Sequence, residues 1–378
     1  MSAKQGIYIH IPFCTSKCRY CDFLSFPSHR SDLQLAYAEA LSGEIRTRIR
    51  GEWRHADTVF IGGGTPTALS DEALNRILSA VNDSLDMHGL VEFTAEANPG
   101  SVTPAKLQLL REGGVNRLSF GVQNFRNKLL RLLGRTHTAD EARAAVFMAR
   151  EAEFDNINLD LMYGLPGEIQ EDWRNDVDAA MALEPEHLSL YQLMIEPHTA
   201  LERMVGQGNI PRPDEDAAAA AFEWQQIYLA EHGYCQYEIS NYSLPGRESE
   251  HNQIYWRLDN YLGLGLGSTG WERPCRQTNT TDLFKYLRTD WEHGDAVAEK
   301  EVLSLRNQMS ESVFMALRMN SGLNCSAFIG LYGVSAEEVF EEAINKNLSQ
   351  GLLKRENGHL RLTNIGRSLG NLVFETFL

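Results

Sequence analysis

The chain has 378 residues, 43% hydrophobic and 23% charged, with a formal net charge of −16 at pH 7. That length allows two or three domains of ordinary soluble composition. No apolar run reaches the roughly 18 residues that span a membrane, and the acidity argues against a general nucleic-acid binder, since phosphate backbones would be repelled.

The opening MSAKQGIYIHIPFC lacks the apolar core and cleavage site of a secretory signal, so a cytoplasmic location is expected. The six cysteines are then read as reduced thiols rather than as a disulfide framework. GIYIHI (6–11) reads as the first strand and runs into PFCTSKCRYCDF, where Cys14, Cys18 and Cys21 follow a C-x3-C-x2-C spacing. Thiolates are soft ligands that suit zinc or iron–sulfur centres. A closed zinc site needs a fourth ligand, for which His10 and His29 are the candidates. A four-iron cube normally takes four thiolates, so three leave one iron open to an exchangeable ligand. The cube is the favoured reading, because neither histidine belongs to a compact ligand pair.

Residues 31–49 read as a helix, with Leu35, Ala38, Leu41 and Ile45 at helical spacing. Further strands are expected at 57–63, 91–98, 116–123, 156–164 and 187–194. A helix at 138–154 has Thr138 as its N-cap and Glu141 three residues on. Alternating strands and helices imply a parallel α/β sheet. Six units make an incomplete, TIM-like (β/α)6 barrel; a doubly wound sheet is the alternative. Either way a ligand sits at the carboxyl ends of the strands. Gly62, Gly63 and Gly64 end the second strand, where the missing Cβ atoms let the backbone approach a ligand. No G-K-[ST] follows, which excludes a P-loop. Glu96, Gln123 and Asp160 belong to the next three strands, and Arg135 follows in GRTH. Carboxylates accept from ribose hydroxyls, glutamine donates and accepts, and arginine grips a carboxylate.

Residues 212–234 read as a helix with an acidic start, and soft boundaries near 210 and 297 divide the chain into 1–210, 211–297 and 298–378. YLGLGLGSTGW (261–271) contains G-x-G-x-x-G but lacks the continuation of a dinucleotide site, so it reads as a glycine-rich strand or turn. The last segment has helical stretches and then GLLKRENGHLRLT, a hairpin signal around Asn-Gly. It resembles a small winged-helix-like domain, and the acidic chain favours packing over DNA binding.

The cysteine spacing resembles that of the radical S-adenosylmethionine (SAM) superfamily. YIHIPFC, CDF, GGGTPT, EANPG, FGVQ and DLMYGLPG resemble one branch of it, the oxygen-independent coproporphyrinogen III oxidase family, over nearly the whole chain. The resemblance implies a radical SAM barrel with a [4Fe–4S] cluster on Cys14, Cys18 and Cys21. It further implies SAM chelated to the open iron and cleaved there to a deoxyadenosyl radical. Positions matching the family's contacts to one or two SAM molecules are Tyr8, Tyr20, Gly63, Gly64, Thr65, Glu96, Gln123, Arg135 and Asp160. Two features depart from the oxidases: Phe23 stands where they have a further cysteine, and only a few residues precede IYIHIP. HNQIYW (251–256) resembles the H-N-x-x-Y-W signature of the haem chaperones in the same family. That likeness implies His251 as a haem-iron ligand with Tyr255 and Trp256 against the porphyrin; core packing of the same residues is the alternative. Chaperone relatives often have a histidine where this chain has Thr269. The expected function is therefore a haem chaperone with a [4Fe–4S] cluster, SAM and haem. Its partners would be haem and an acceptor haem protein, such as a respiratory one, with no nucleic acid and no membrane span. The alternative is oxidative decarboxylation of coproporphyrinogen III. Catalysis by the chain itself and its oligomeric state stay open at this point, and no catalytic residue is assigned.

Overall fold

The computed structural model describes residues 4–378. The six strand-like runs become β1 (Gly6–Ile11), β2 (Thr58–Gly63), β3 (Glu92–Ala97), β4 (Arg117–Gln123), β5 (Ile157–Tyr163) and β6 (His187–Gln192). They pair in parallel in chain order. The crossovers are α1 (Ser31–Arg48), α2 (Asp71–Ser84), α3 (Pro104–Glu112), α4 (Asn127–Leu133), α5 (Ala139–Glu151) and α6 (Gln170–Met181). Thr138 caps α5 with Glu141 returning the bond, a full capping box.

After α7 (Ala200–Gly206) and α8 (Glu215–Glu231), β7 (Cys235–Gln236) and β8 (Asn241–Ser243) extend the sheet antiparallel beyond β6. Helix α9 (Glu250–Trp256) leads to β9 (Tyr261–Leu264), which lies parallel to the free edge of β1. Strands β10 (Thr269–Glu272), β11 (Cys275–Asn279) and β12 (Val297–Val302), with α10 (Leu283–Leu287) between the last two, continue antiparallel from there. The sheet has 12 strands in the order β12-β11-β10-β9-β1-β2-β3-β4-β5-β6-β8-β7. The six parallel units follow one another without reversal. This excludes a doubly wound sheet, which needs a switch point, and leaves an open barrel. Residues 215–302 join this same sheet, and Ala218, Leu229, Leu262 and Tyr286 lie in the barrel's own core.

Strict alternation shapes the barrel. Ile7, Ile9, Val59, Ile61, Phe93, Ala95, Leu118, Phe120, Ile157, Leu159, Leu188 and Leu190 are buried in the core beneath the helices. The opposite faces carry Tyr8 and His10, Thr58 and Phe60, Glu92, Thr94 and Glu96, Arg117 and Ser119, Asn158 and Asp160, and His187, Ser189 and Tyr191. Parallel strands packed on both faces are usually apolar throughout; here the concave face is polar.

The C-terminal part has a separate core running from Met309 to Phe377. It combines α11 (Leu305–Arg318) and shorter helices with a sheet of β13 (Leu323–Asn324), β14 (Leu353–Glu356) and β15 (His359–Leu362). Asn357 and Gly358 turn the hairpin with φ of 50° and 75°, the left-handed pair that Asn-Gly supplies. Among the described residues, no helix is long and apolar enough to cross a membrane.

One buried carboxylate ties the two flanks of β1 together. Glu44 on α1 accepts from Tyr286 Oη (2.6 Å), Asn279 Nδ2 (2.7 Å) and the Gly265 amide (2.8 Å). Gly265, at φ +96°, sits where a Cβ would meet the His10 carbonyl oxygen at 2.5 Å. The glycine-rich run is thus a strand and turn folded onto β1. Glu44→Ala takes the acceptor from Tyr286 Oη and the Gly265 amide, while Asn279 Nδ2 keeps the Gly265 carbonyl (2.9 Å), and should cost about 3–5 kcal/mol in urea unfolding; a loss under about 1 kcal/mol, the range of an ordinary surface change, would contradict this role.

Candidate functional site

The cysteine loop crosses the mouth of the barrel at the carboxyl ends of the strands. It is anchored at several points. Phe13–Cys14 pairs with Phe26–Pro27. The Thr65 amide donates to the Phe13 carbonyl (2.7 Å), the Arg19 amide to Leu133 at the end of α4 (2.9 Å), and the Leu201 amide on α7 to Arg19 (2.8 Å). Lys17, a residue that sequence reasoning missed, straps the loop from its exposed side: its Nζ donates to the carbonyls of Phe23 (2.6 Å) and Ser25 (3.4 Å). Its position between Cys14 and Cys18 was the available signal.

All three thiols are free and half-buried. Thr65 Oγ1 donates to Cys14 Sγ at 3.7 Å, and Arg135 donates to Cys18 Sγ at 3.4 Å. Burial pushes the Cys14 and Cys21 thiols up; Cys18 adds to this in both, and Cys14 adds to it in Cys21. The three sulfurs therefore feel one another, and thiolates there need positive charge nearby. Among the described residues, no three His, Cys, Asp or Glu side chains converge as ligands of a single metal ion. His10 is not a fourth ligand. Its Nε2 donates to the Leu24 carbonyl and its Nδ1 accepts from Tyr8 Oη, both at 2.9 Å, while His29 is exposed. A zinc site of three cysteines and a histidine does not fit these residues. Three thiols on one loop, each free to take its own corner, fit a cube.

The glycines at the end of β2 have a reason within the chain itself. A Cβ on Gly63 would meet the His10 ring at 2.3 Å, on Gly64 the Phe13 carbonyl oxygen at 2.6 Å, and on Gly62 the Glu96 carboxylate at 2.8 Å. The protein's own loop and side chains demand them. The amides of Gly63, Gly64 and Thr65 are all engaged, with Glu96, Ile11 and Phe13 respectively. What this turn can offer a ligand is carbonyl oxygen, which suits an ammonium donor.

Glu96 and Asp160 face each other across the concave side. Asp160 is held by Asn158 Nδ2 (2.8 Å) and Ser119 Oγ (3.2 Å), whereas Glu96 accepts from the Gly63 amide (3.0 Å). Burial, and then the charge of Asp160, push the Glu96 carboxyl up to about 7. Burial also raises Asp160. Two carboxylates in a polar pocket with raised affinities for protons are poised for a cation. Gln123 ends β4 at φ +68°, on a bulge where the register with β5 shifts. A strained non-glycine backbone of this kind is often kept at ligand sites. Gly121 makes room for it: a Cβ there would lie 2.9 Å from Gln123 Nε2 and 3.3 Å from Arg135 Nη2. Arg135 donates to the Gly121 carbonyl and leaves its Nε without a partner. Tyr20 lies beside Cys18, Cys21 and Arg135, and burial raises its phenol. Tyr8, Tyr20, Gly63, Gly64, Thr65, Glu96, Gln123, Arg135 and Asp160 are thus linked through shared contacts around one mouth.

His251 departs from expectation. It is fully buried. Its Nδ1 meets Thr58 Oγ1 and its Nε2 meets Tyr255 Oη, both at 2.7 Å, and its ring stacks on Phe60 at 5.2 Å. Thr58 and Glu92 start their strands, so this is the floor of the barrel, at the opposite pole from the cysteines. Glu92 accepts from the Glu250 amide (2.7 Å) and from Ser249 Oγ (3.1 Å), holding α9 as a plug. Burial, with the Arg117 charge, pushes His251 down to about 3. Here His251 is a packing residue, with no nitrogen free for haem iron. His251→Ala should destabilise the fold by roughly 3 kcal/mol through lost packing and two orphaned hydroxyls, as read by chemical denaturation; unchanged stability would contradict this placement.

Comparison with known proteins gives concordant results. Residues 8–180 match the Radical SAM superfamily and residues 303–369 the HemN C-terminal domain. The heme chaperone HemW of Lactococcus lactis subsp. lactis (strain IL1403) is 38% identical over 382 residues, covering 100% of this chain and 98% of the relative. HemW of Bacillus subtilis (strain 168) is 36% identical, covering 99% of each chain. HemW of Escherichia coli (strain K12) is 34% identical, covering 99% and 98%. The solved structure of coproporphyrinogen III oxidase (HemN) from Escherichia coli, a radical SAM enzyme, superposes with a TM-score of 0.85 at 24% identity, covering 99% of this chain and 90% of that one. At that identity the likeness concerns the fold.

Proposed function

The chain belongs to the HemW family of the radical SAM superfamily, and on that footing we propose that it is a haem chaperone that binds a [4Fe–4S] cluster, SAM and haem and passes haem to an acceptor haem protein. The observation that carries the cofactor half is the conjunction at the barrel mouth. Three free thiols on one braced loop lie beside Thr65 and Arg135, and the Glu96–Asp160 pair lies on the same concave face, with Arg117 acting on Asp160 and the raised Glu96 carboxyl held by the Gly63 amide. SAM is a sulfonium that also carries an ammonium group, so it suits that pair; when bound with the cluster it supplies radical chemistry or a gating ligand. Cys14, Cys18 and Cys21 would hold the cluster. Glu96 and Asp160 would meet the cationic and ribose portions of SAM, the Gly63–Thr65 turn its ammonium, and Arg135 its carboxylate.

The haem half is supported by the relatives' names and by Phe23, which stands 62% exposed at the position of the oxidases' additional cysteine. Anaerobic titration of the cluster-reconstituted protein with haem tests it. Stoichiometric binding followed by transfer to an apo-haem protein is the expected result. No specific binding, together with conversion of coproporphyrinogen III to protoporphyrinogen, would overturn it in favour of the decarboxylase.

A further inference from the structure

Resting on the haem reading above, we propose that Arg318, laid against Trp256 and facing Glu238 and Tyr191, anchors the carboxylate side chains of the tetrapyrrole. Trp256 closes α9 and Arg318 closes α11, so the pair sits at the seam between the barrel floor and the C-terminal domain. The guanidinium lies 4.5 Å from the Trp256 ring centroid and 5.8 Å from that of Phe374. A guanidinium packed against an aromatic ring keeps N–H groups to donate.

The polar atoms at this seam are orphaned. Arg318 Nε, Trp256 Nε1 and Glu238 Oε2 all lack a hydrogen-bond partner. Buried polar groups are normally paired, so donors and an acceptor left together call for a missing ligand. Glu238 is fixed in place. Its Oε1 accepts from the Ser240 amide (3.0 Å) and from Asn241 Nδ2, and an antiparallel bridge joins it to Met319, next to Arg318. Burial pushes Arg318 down, opposed by the charges of Glu238 and Tyr191. Burial pushes the Glu238 carboxyl up, opposed first by the Arg318 charge. Besides burial, the charges of Asp160, Glu238 and Glu96 all bear on Tyr191, which links the seam to the concave face that holds the SAM-site carboxylates. Two in-plane N–H donors set among aromatic rings fit a carboxylate carried on a flat apolar ring. HNQIYW then divides by role: His251 secures the floor, and Trp256 faces the ligand.

The test uses the full chain, with haemin and an iron-free porphyrin tetracarboxylate, each beside its methyl ester. Wild type is compared with Arg318→Gln and Arg318→Lys. Wild type should bind haemin about ten- to a hundredfold more tightly than the ester, the range of a charge-assisted pair. Arg318→Gln should remove that preference while leaving ester binding unchanged, and Arg318→Lys, which lacks the fork, should fall between. Equal affinity of acid and ester in wild type, or haemin binding indifferent to both substitutions, overturns this site and leaves the haem reading standing. Arg318-dependent binding of the iron-free porphyrin without haemin binding keeps the site and overturns the haem reading. Binding of neither porphyrin overturns both. The ester comparison needs no substitution and stays decisive if a variant fails to fold.

Discussion

Replacing Cys14, Cys18 or Cys21 with alanine, one at a time, is expected to leave the reconstituted protein without a stable four-iron centre. Iron and acid-labile sulfide per chain, with the visible charge-transfer band, would read the loss. The reason lies in the count of donors. The loop offers three thiols, His10 has both nitrogens engaged and His29 is exposed, and Lys17 and Arg135 are cations that stabilise thiolates without ligating iron. Each lost thiol therefore exposes a second iron corner with no thiol to replace it. The same variants should keep their secondary structure, because the loop is braced by backbone bonds to Thr65, Leu133 and Leu201 that do not pass through sulfur. Cys235→Ala, Cys275→Ala and Cys325→Ala should retain full iron, since these residues belong to β7, β11 and the C-terminal domain. Full iron and sulfide in any of the first three variants would sink the ligand assignment.

Glu96→Gln should have opposite effects on the ligand-free and the liganded protein. The Glu96 carboxyl sits at about 7 in the fold against an ordinary 4.5. Asp160, Tyr8, Tyr191 and Tyr255 lie around it, and the Gly63 amide opposes the rise. A raised carboxyl costs nothing below the unfolded value. The cost then grows as pH climbs toward the folded value and is constant above it. Ligand-free Glu96→Gln should accordingly match wild type near pH 4.5 and exceed it at pH 8 by up to about 3 kcal/mol, because a tenfold change in proton affinity is worth about 1.4 kcal/mol. SAM affinity should move the other way. In wild type it should rise with pH until the carboxyl is ionised near 7 and then level off; in Glu96→Gln it should be at least about tenfold weaker and flat over that range. Thermal melts and calorimetric titrations at three pH values separate the two effects. A variant equally destabilised at all pH values, or one that binds SAM with the wild-type pH profile, would remove Glu96 from the cation site.

Much of this was legible in the chain because the signals are local. The expected strands differ from the observed ones by no more than two residues at either end, since each is a short run with alternating apolar positions between turn residues. Thr138 and Glu141 specify their capping box within four positions. The pairing of β9 with β1 was not legible: YLGL carries no mark of a partner far away in sequence. The glycines of GGGTP were visible, but their cause was not, because His10, Phe13 and Glu96 reach them only through the fold. His251 shows the same limit more sharply. Imidazole chemistry suits iron and core packing equally, and the burial against Thr58, Phe60 and Tyr255 that speaks for packing is visible only in the fold. Tyr191 was within reach, since the period-two alternation of β6 puts it on the face of His187 and Ser189.

The position of β1 has a consequence for how the chain is made. Its first neighbour, β2, follows within about sixty residues, but the other edge waits for β9, with Gly6 paired to Tyr261. At ribosomal speeds of about 5–20 residues per second, that edge stays uncovered for on the order of ten to fifty seconds. An unpaired, apolar, parallel edge is a template for intermolecular pairing during that time. The nascent chain is therefore most exposed to aggregation before residue 264 has emerged. A stop codon placed shortly before β9 should give inclusion bodies, whereas one placed after β12 should leave the sheet complete.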